Sequence, residues 1–131
     1  MSASIFLEQS ALNHFFRGQA RPTPGTVYLA LYTSDPTEAD IGTEVNCPSY
    51  RRQQITFAEP TRANNTTAII NDTEIRFPIA ATNQGILTHI GIRTALTGGE
   101  LLAHAVVPNP RNIETGDEAV FRIGSVTITL D

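Results

Sequence analysis

Candidate nucleophiles and bases are few in this sequence and lie far apart. The single cysteine, Cys47, precedes a proline in a polar stretch, and the three histidines are His14, His89 and His104. Nucleophilic catalysis needs a serine or cysteine beside a base that a carboxylate orients, and the G-x-S-x-G sequence is absent. Phosphate-binding glycine motifs are absent as well. We therefore expect a protein that is not an enzyme, with no catalytic residues and no cofactor.

Charged side chains gather at two places in the sequence. Segment 33–48 carries four carboxylates: Asp35, Glu38, Asp40 and Glu44. Their spacing does not match the D-x-D-x-D-G pattern of a calcium loop, so we predict a solvated loop without a metal. Arg51 and Arg52 stand together at the start of a predicted strand. This pair is expected to be solvated or ion-paired locally, and the alternative is that it binds an anion or a partner's carboxylates.

Composition excludes several classes of protein. The chain has 131 residues, of which 40% are hydrophobic and 17% charged, which is typical of one globular domain, residues 1–131. The net charge of -4 argues against nucleic-acid binding, which usually requires a basic face. A lone cysteine allows no intrachain disulfide. We find no signal peptide and no apolar run long enough to cross a membrane, and expect no membrane partner.

The stretch Gly85–Val107 is predicted to form a β-hairpin, and the rest of the predicted fold is arranged around it. Paired glycines supply the positive φ of a tight turn, so Gly98 and Gly99 are predicted to form it. This register places six apolar side chains on one face, in the pairs Leu96 with Leu101, Ile92 with Ala105, and Ile90 with Val107. The other face would hold His89, with Arg93 opposite His104. A ribbon with one apolar face needs a second layer.

Short alternating segments with turn residues between them account for most of the remaining chain. They predict a mainly β protein: an antiparallel β-sandwich or jelly-roll-like domain of about eight strands with one N-terminal α-helix. The predicted strands are about 27–32, 50–57, 67–70, 74–77, 86–95, 101–107, 119–123 and 126–130. The last two are expected to close the fold as a hairpin, with Val126, Ile128 and Leu130 facing inward.

The predicted helix, about 4–17, begins at the N-cap Ser4 and ends in two phenylalanines. Strand 27–32 is apolar on both faces, and the helix is the expected cover for its second face. The helix end either packs over its own sheet or docks onto a neighbouring subunit. A docking surface would have apolar residues at its centre and charges at its rim. Its candidate residues are Phe15, Phe16, Tyr32, Arg51 and Arg52.

Several stretches resemble a family of small tailed-bacteriophage virion proteins that often carry the label "phage tail fibre protein". The longest are NHFFRGQARPTPGTVYLALYTSDPTEADIGTEV (Asn13–Val45), with YLALYTSDPT as its most specific part, and YRRQQITFAEP (Tyr50–Pro60). Further stretches of this kind are Gly85–Gly91, Gly98–His104 and Gly116–Leu130. The sequence departs from the family pattern at residues 46–49, where a glycine-rich turn is usual.

The resemblance implies a structural role in the virion and no catalytic residues. One expectation is a capsid decoration or cement protein that stabilises the head lattice. It would be a homo-oligomer, with a trimer favoured, and it would bind the major capsid protein or other virion structural proteins. The alternative is a tail fibre, tail-tip or baseplate module involved in host adsorption. The sequence has no coiled-coil heptads or repeats of a fibre shaft, which favours decoration. A carbohydrate-binding module is a remote alternative.

Overall fold

Ten β-strands and one helix form the part of the protein that the computed structural model describes, residues 1–21 and 23–130. The helix is α1 (Ile5–Phe16). The strands are β1 (Ser2–Ala3), β2 (Val27–Tyr32), β3 (Gln53–Ile55), β4 (Thr61–Ala63), β5 (Thr66–Ile70), β6 (Ile75–Arg76), β7 (Gly85–Arg93), β8 (Leu101–Ile113), β9 (Val120–Phe121) and β10 (Thr127–Leu130). The predicted fold class, mainly β with one N-terminal helix, is confirmed.

The strands form three antiparallel sheets arranged as an open sandwich. The largest sheet has the strand order β1-β8-β7-β2-β3, a second has the order β10-β5-β4, and β6 pairs with β9 as a short ribbon. One hydrophobic core includes buried residues of the largest sheet and of β6, and Ile128 of β10 packs against it. Its buried members include Leu29, Leu31, Ile55, Ile75, Ile90, Ile92 and Val126. Removal of this apolar surface from water is the main force that holds the layers together.

The β7–β8 hairpin exists, but its predicted register is wrong by two residues. Ile90 pairs with Ala105 and Ile92 pairs with Ala103, while Arg93 lies opposite Leu101. Because side chains alternate with a period of two, this shift leaves Ile90 and Ile92 on the core face as predicted. The turn is longer than predicted: β7 ends at Arg93, and residues 94–100 form a loop rather than a two-residue turn.

Strand β8 continues to Ile113, beyond the predicted end at Val107. Its last residues pair with the start of β7, where Gly85 lies opposite Ile113. Strand β1 pairs with the other edge of β8 only at Ala103 and His104. From there toward Ile113, this edge of β8 has no paired strand among the described residues. Proline has no N–H to donate and is tolerated at such an edge, so Pro108 and Pro110 do not end the strand.

The predicted closing hairpin is wrong, because its two strands join different sheets. Strand β9 pairs with β6, and β10 pairs with β5. Val126 is buried and Ile128 packs at the edge of the core, but Leu130, which was expected to face inward, is 71% exposed. The alternating pattern identified both strands correctly as strands. It carries no information about which partner strand each one takes.

Two further predictions on strands need correction. The strand expected over 50–57 shortens to β3, because the edge of β2 beyond Leu29 bonds instead to the Val45 N–H and to the Tyr50 hydroxyl. Helix α1 contacts β8 and does not cover β2. Segment 33–48 runs along the edge of β2, where the Val45 N–H donates to the carbonyl of Leu31 over 2.9 Å. On the second face of β2, Arg93 bonds to both the Tyr32 hydroxyl and Asp40 of this segment.

Candidate docking surface

Helix α1 turns its more polar face toward the protein. The half-buried side chains are Leu7, Ser10, Ala11 and Asn13, and no residue of the helix is fully buried. At about 3.6 residues per turn, Ile5, Leu12 and Phe16 project from the opposite side. Amphipathic helices of globular domains normally orient the other way, with the apolar stripe against the core. The apolar side of α1 therefore has no partner among the described residues.

We define the α1 stripe as Ile5, Leu12, Phe15 and Phe16. Their exposed fractions are 43%, 59%, 77% and 82%, and Phe15 packs edge-on against the neighbouring His14 ring, 4.9 Å between centroids. Several exposed apolar side chains on one side of an element are typical of a protein–protein interaction site, whereas single exposed apolar residues are ordinary. The stripe is the strongest candidate for a docking surface on the described part of the protein.

The N-terminus of α1 is fixed to the sheet although its stripe is free. Ser4 caps the helix as predicted, since its buried Oγ accepts from the Leu7 N–H over 3.1 Å and donates to the carbonyl of Leu101. The Ser4 N–H donates to the carbonyl of Leu102 over 2.8 Å, and the Ile5 N–H donates to that of Glu38 over 2.9 Å. A helix of 12 residues is marginal in water without tertiary contacts, so this anchor holds it in place.

Segment 33–48 is fastened to the sheet by an ion pair between Glu44 and Arg52. Arg52 donates from Nε and Nη2 to the two carboxylate oxygens of Glu44 over 2.9 and 2.8 Å. Its Nη1 donates to the carbonyls of Ala95 and Gly98, each over 2.8 Å. Tyr50 donates its hydroxyl to Glu44 over 2.6 Å. The guanidinium therefore joins the segment to the hairpin loop 94–100.

Arg93 makes a second connection of the same kind. Its Nη1 donates to Asp40 over 2.7 Å and to the hydroxyl of Tyr32 over 3.1 Å, and its Nη2 donates to the carbonyl of Gly99 over 2.8 Å. The expected solvated acidic loop is therefore wrong for Asp40 and Glu44, which bind buried arginines, whereas Asp35 and Glu38 are exposed as predicted. These contacts also explain the long hairpin loop, whose carbonyls point at the two guanidinium groups.

The protonation of Glu44 makes stability depend on pH. Burial works against its charge, but hydrogen bonds from Arg52 and Tyr50 hold the pKa of this carboxyl below its ordinary value. A carboxyl whose pKa is lower in the folded state stabilises the fold above the unfolded value, about 4.3. That contribution is lost as the pH falls through the folded pKa.

We expect the stability advantage of the wild type over Glu44→Gln to be constant near neutral pH and to shrink below about pH 4.3. Urea unfolding of both proteins at a series of pH values measures this difference. Exposed Glu59 provides the control. The difference in stability between the wild type and Glu59→Gln should not change in this way as the pH falls. A Glu44→Gln difference that stays the same down to pH 3 would contradict the role assigned to the ion pair.

Two histidines share one carboxylate on the same side of the sheet. His89 Nε2 and His104 Nδ1 each lie 3.8 Å from Oδ1 of Asp35. The prediction that both histidines lie on one face agrees with this geometry, but His104 pairs with Gly91 rather than with Arg93. Within residues 1–21 and 23–130, no group of three histidine, cysteine or acidic residues has the arrangement of a metal site.

A groove of about 780 Å³ lies between β8 and the β6–β9 ribbon. Arg76 crosses it between Glu74 and Glu118, with a distance of 2.7 Å to each carboxylate. The one aromatic residue that lines the groove is Phe121. Carbohydrate sites usually present aromatic platforms, so the groove offers little support for the remote alternative of a carbohydrate-binding module.

The structure separates the five predicted interface residues into two groups. Phe15, Phe16 and Arg51 are exposed. Tyr32 and Arg52 are 1% and 8% exposed and bond inside the protein, so their predicted surface positions are wrong. Ile5 and Leu12 were not among the candidates. Their helical spacing with Phe16 was visible in the sequence, but apolar spacing does not show which side of a helix faces the core.

Comparison with known proteins adds one match. Residues 2–129 match the family model described as "Podophage GP4 fiber I protein gp80". No curated protein matches the chain. Over the described residues, no helix is both long and apolar enough to cross a membrane.

Proposed function

Because the chain belongs to the podophage fiber I protein family, we propose that it is a structural component of a virion fibre and contributes to host adsorption. The observation that supports this proposal is the family match over residues 2–129, nearly the whole chain. It agrees with the sequence resemblance to phage tail fibre proteins. The α1 stripe would serve as the assembly surface, since its four exposed apolar side chains lie outside the core of the described chain.

The family description favours a position in a fibre over the predicted position on the capsid. The absence of heptads and shaft repeats in the sequence favours decoration, because a fibre shaft needs such repeats. A compact β domain can instead occupy one position along a fibre whose shaft is made by other chains. The family's structural role is also consistent with the prediction that the protein is not an enzyme.

The location of the protein in the particle tests the proposal. We expect cryo-electron microscopy of the phage that encodes it to show its density at the fibres, with none repeated over the capsid lattice. Particles that lack the protein should adsorb poorly to host cells and keep heads of normal thermal stability. Supply of the wild-type protein in trans should restore adsorption. Density at symmetry axes of the capsid, with less stable heads on deletion, would support decoration and contradict the fibre proposal.

A further inference from the structure

We propose that the groove along β8 binds an extended acidic segment of another virion chain. This inference rests on the proposed function in one respect, that the protein is part of a virion, and it concerns a surface separate from the α1 stripe. The groove of about 780 Å³ continues into a second cavity of about 330 Å³, because Val107 and Phe121 line both. The two cavities therefore form one depression along β8.

The smaller cavity can hold an apolar side chain. It lies between β8 and residues 125–127, where β10 begins. Its lining is mainly apolar and includes Ile90, Ala105, Val107, Phe121 and Val126. A leucine or phenylalanine side chain placed there would remove apolar surface from water on both partners. A segment that carries such a residue would therefore be anchored at this end of the groove.

The larger cavity carries two exposed arginines, Arg111 and Arg122. Arg111 lies opposite the core residue Leu87, so it projects from the core side of β8 into the groove. The third guanidinium of the groove, that of Arg76, is already bonded to two carboxylates. Within residues 1–21 and 23–130, neither Arg111 nor Arg122 forms an ion pair. These two guanidinium groups therefore favour a partner that supplies carboxylates.

The shape of the groove favours an extended peptide over other acidic ligands. From Ala105 to Ile113, at about 3.3 Å per residue, β8 is roughly 25–30 Å long, enough for an extended segment of about eight residues. Pro108 and Pro110 have no N–H to donate, so this edge of β8 is a poor template for a continuous partner strand. Recognition would therefore come mainly from side chains of the partner. An acidic polysaccharide supplies carboxylates, but it has no apolar side chain for the smaller cavity.

A peptide array tests the class of partner. Overlapping peptides of about eight residues that cover all structural proteins of the phage, this chain included, are probed with the purified protein. We expect the bound peptides to contain a leucine or phenylalanine and several carboxylates, and to come from a chain other than this one. In solution, replacement of the apolar residue by serine, or of the carboxylates by their amides, should weaken binding of the strongest peptide about tenfold.

Charge reversal in the groove tests the two arginines. The double variant Arg111→Glu with Arg122→Glu should bind the same peptide about tenfold more weakly, because each substitution replaces an attraction by a repulsion. Both residues are exposed, so the fold should remain intact, and an unchanged melting curve verifies this. The matched control is the double variant Arg21→Glu with Arg62→Glu. It reverses two exposed arginines that do not line the groove, and it should bind the peptide as the wild type does.

Several results would overturn the inference. One is the absence of any peptide that binds with a dissociation constant below about 100 μM. Another is equal binding of the peptide by the charge-reversed protein and the wild type. Bound peptides that come only from this chain would overturn it too. So would binding of polygalacturonate, an acidic polysaccharide, in place of any peptide.

Failure of this inference can be distinguished from failure of the proposed function. A bound peptide from a capsid protein, whose binding is lost on reversal of the two arginines, together with density on the capsid, would keep the docking groove and reject the fibre position. Density at the fibre with no bound peptide would keep the fibre position and reject the docking groove.

Discussion

Replacement of Arg52 by methionine is expected to lower the free energy of unfolding by about 3 kcal/mol. The guanidinium of Arg52 is 8% exposed and makes four hydrogen bonds, two to Glu44 and one each to the carbonyls of Ala95 and Gly98. Methionine can fill much of the volume of the arginine side chain, but it cannot donate a hydrogen bond to any of these oxygens. Loss of one member of a buried ion pair is costly chiefly because the remaining charge stays in a poorly solvated place.

The adjacent residue provides a matched control for this prediction. Arg51 has the same side chain but is exposed, so Arg51→Met should change stability by no more than about 0.5 kcal/mol. Addition of Glu44→Gln to Arg52→Met removes the stranded charge and should recover part of the loss. Urea unfolding at neutral pH measures all of these variants. Equal effects of the two arginine substitutions would show that the ion pair contributes little to the fold.

Asn71→Asp is expected to destabilise the protein by about 3 kcal/mol at neutral pH. The Asn71 side chain is fully buried, and its Nδ2 donates to the carbonyls of Thr73 and Arg122 over 2.9 and 3.0 Å. Its Oδ1 accepts from the Val126 N–H over 2.9 Å. Aspartate has nearly the same shape, but it turns a negative oxygen toward the two carbonyls and removes both donors. A buried charge with the Val126 N–H as its one remaining donor among these partners is strongly unfavourable.

Asn46→Asp is the control for added charge, because Asn46 is exposed, and this variant should be as stable as the wild type. The contacts of Asn71 connect β5 to the chain that leads into β10, so local unfolding near β10 should appear first in hydrogen exchange. If Asn71→Asp and Asn46→Asp unfold at the same urea concentration, the buried amide does not determine how β10 is placed.

Structural features that depend on residues close together in the chain could be predicted from the sequence. The Ser4 cap and helix α1 follow from interactions within one turn of the chain. Strand β2 and the core-facing Ile90 and Ile92 follow from the alternation of side chains along a strand. The resemblance to phage virion proteins was also visible in the sequence, and the family match agrees with it at the level of a phage fibre protein.

Which elements meet depends on contacts between residues that are far apart in the sequence. Arg52 bonds to a carbonyl 43 residues away, and Asn71 bonds to an N–H 55 residues away. No local pattern encodes such contacts, because partner choice depends on the packing of all layers at once. The side of α1 that faces the core was undecided for the same reason. Sequence spacing identified the apolar residues of the helix, but it was the packing of α1 on β8 that left Ile5, Leu12 and Phe16 in solvent.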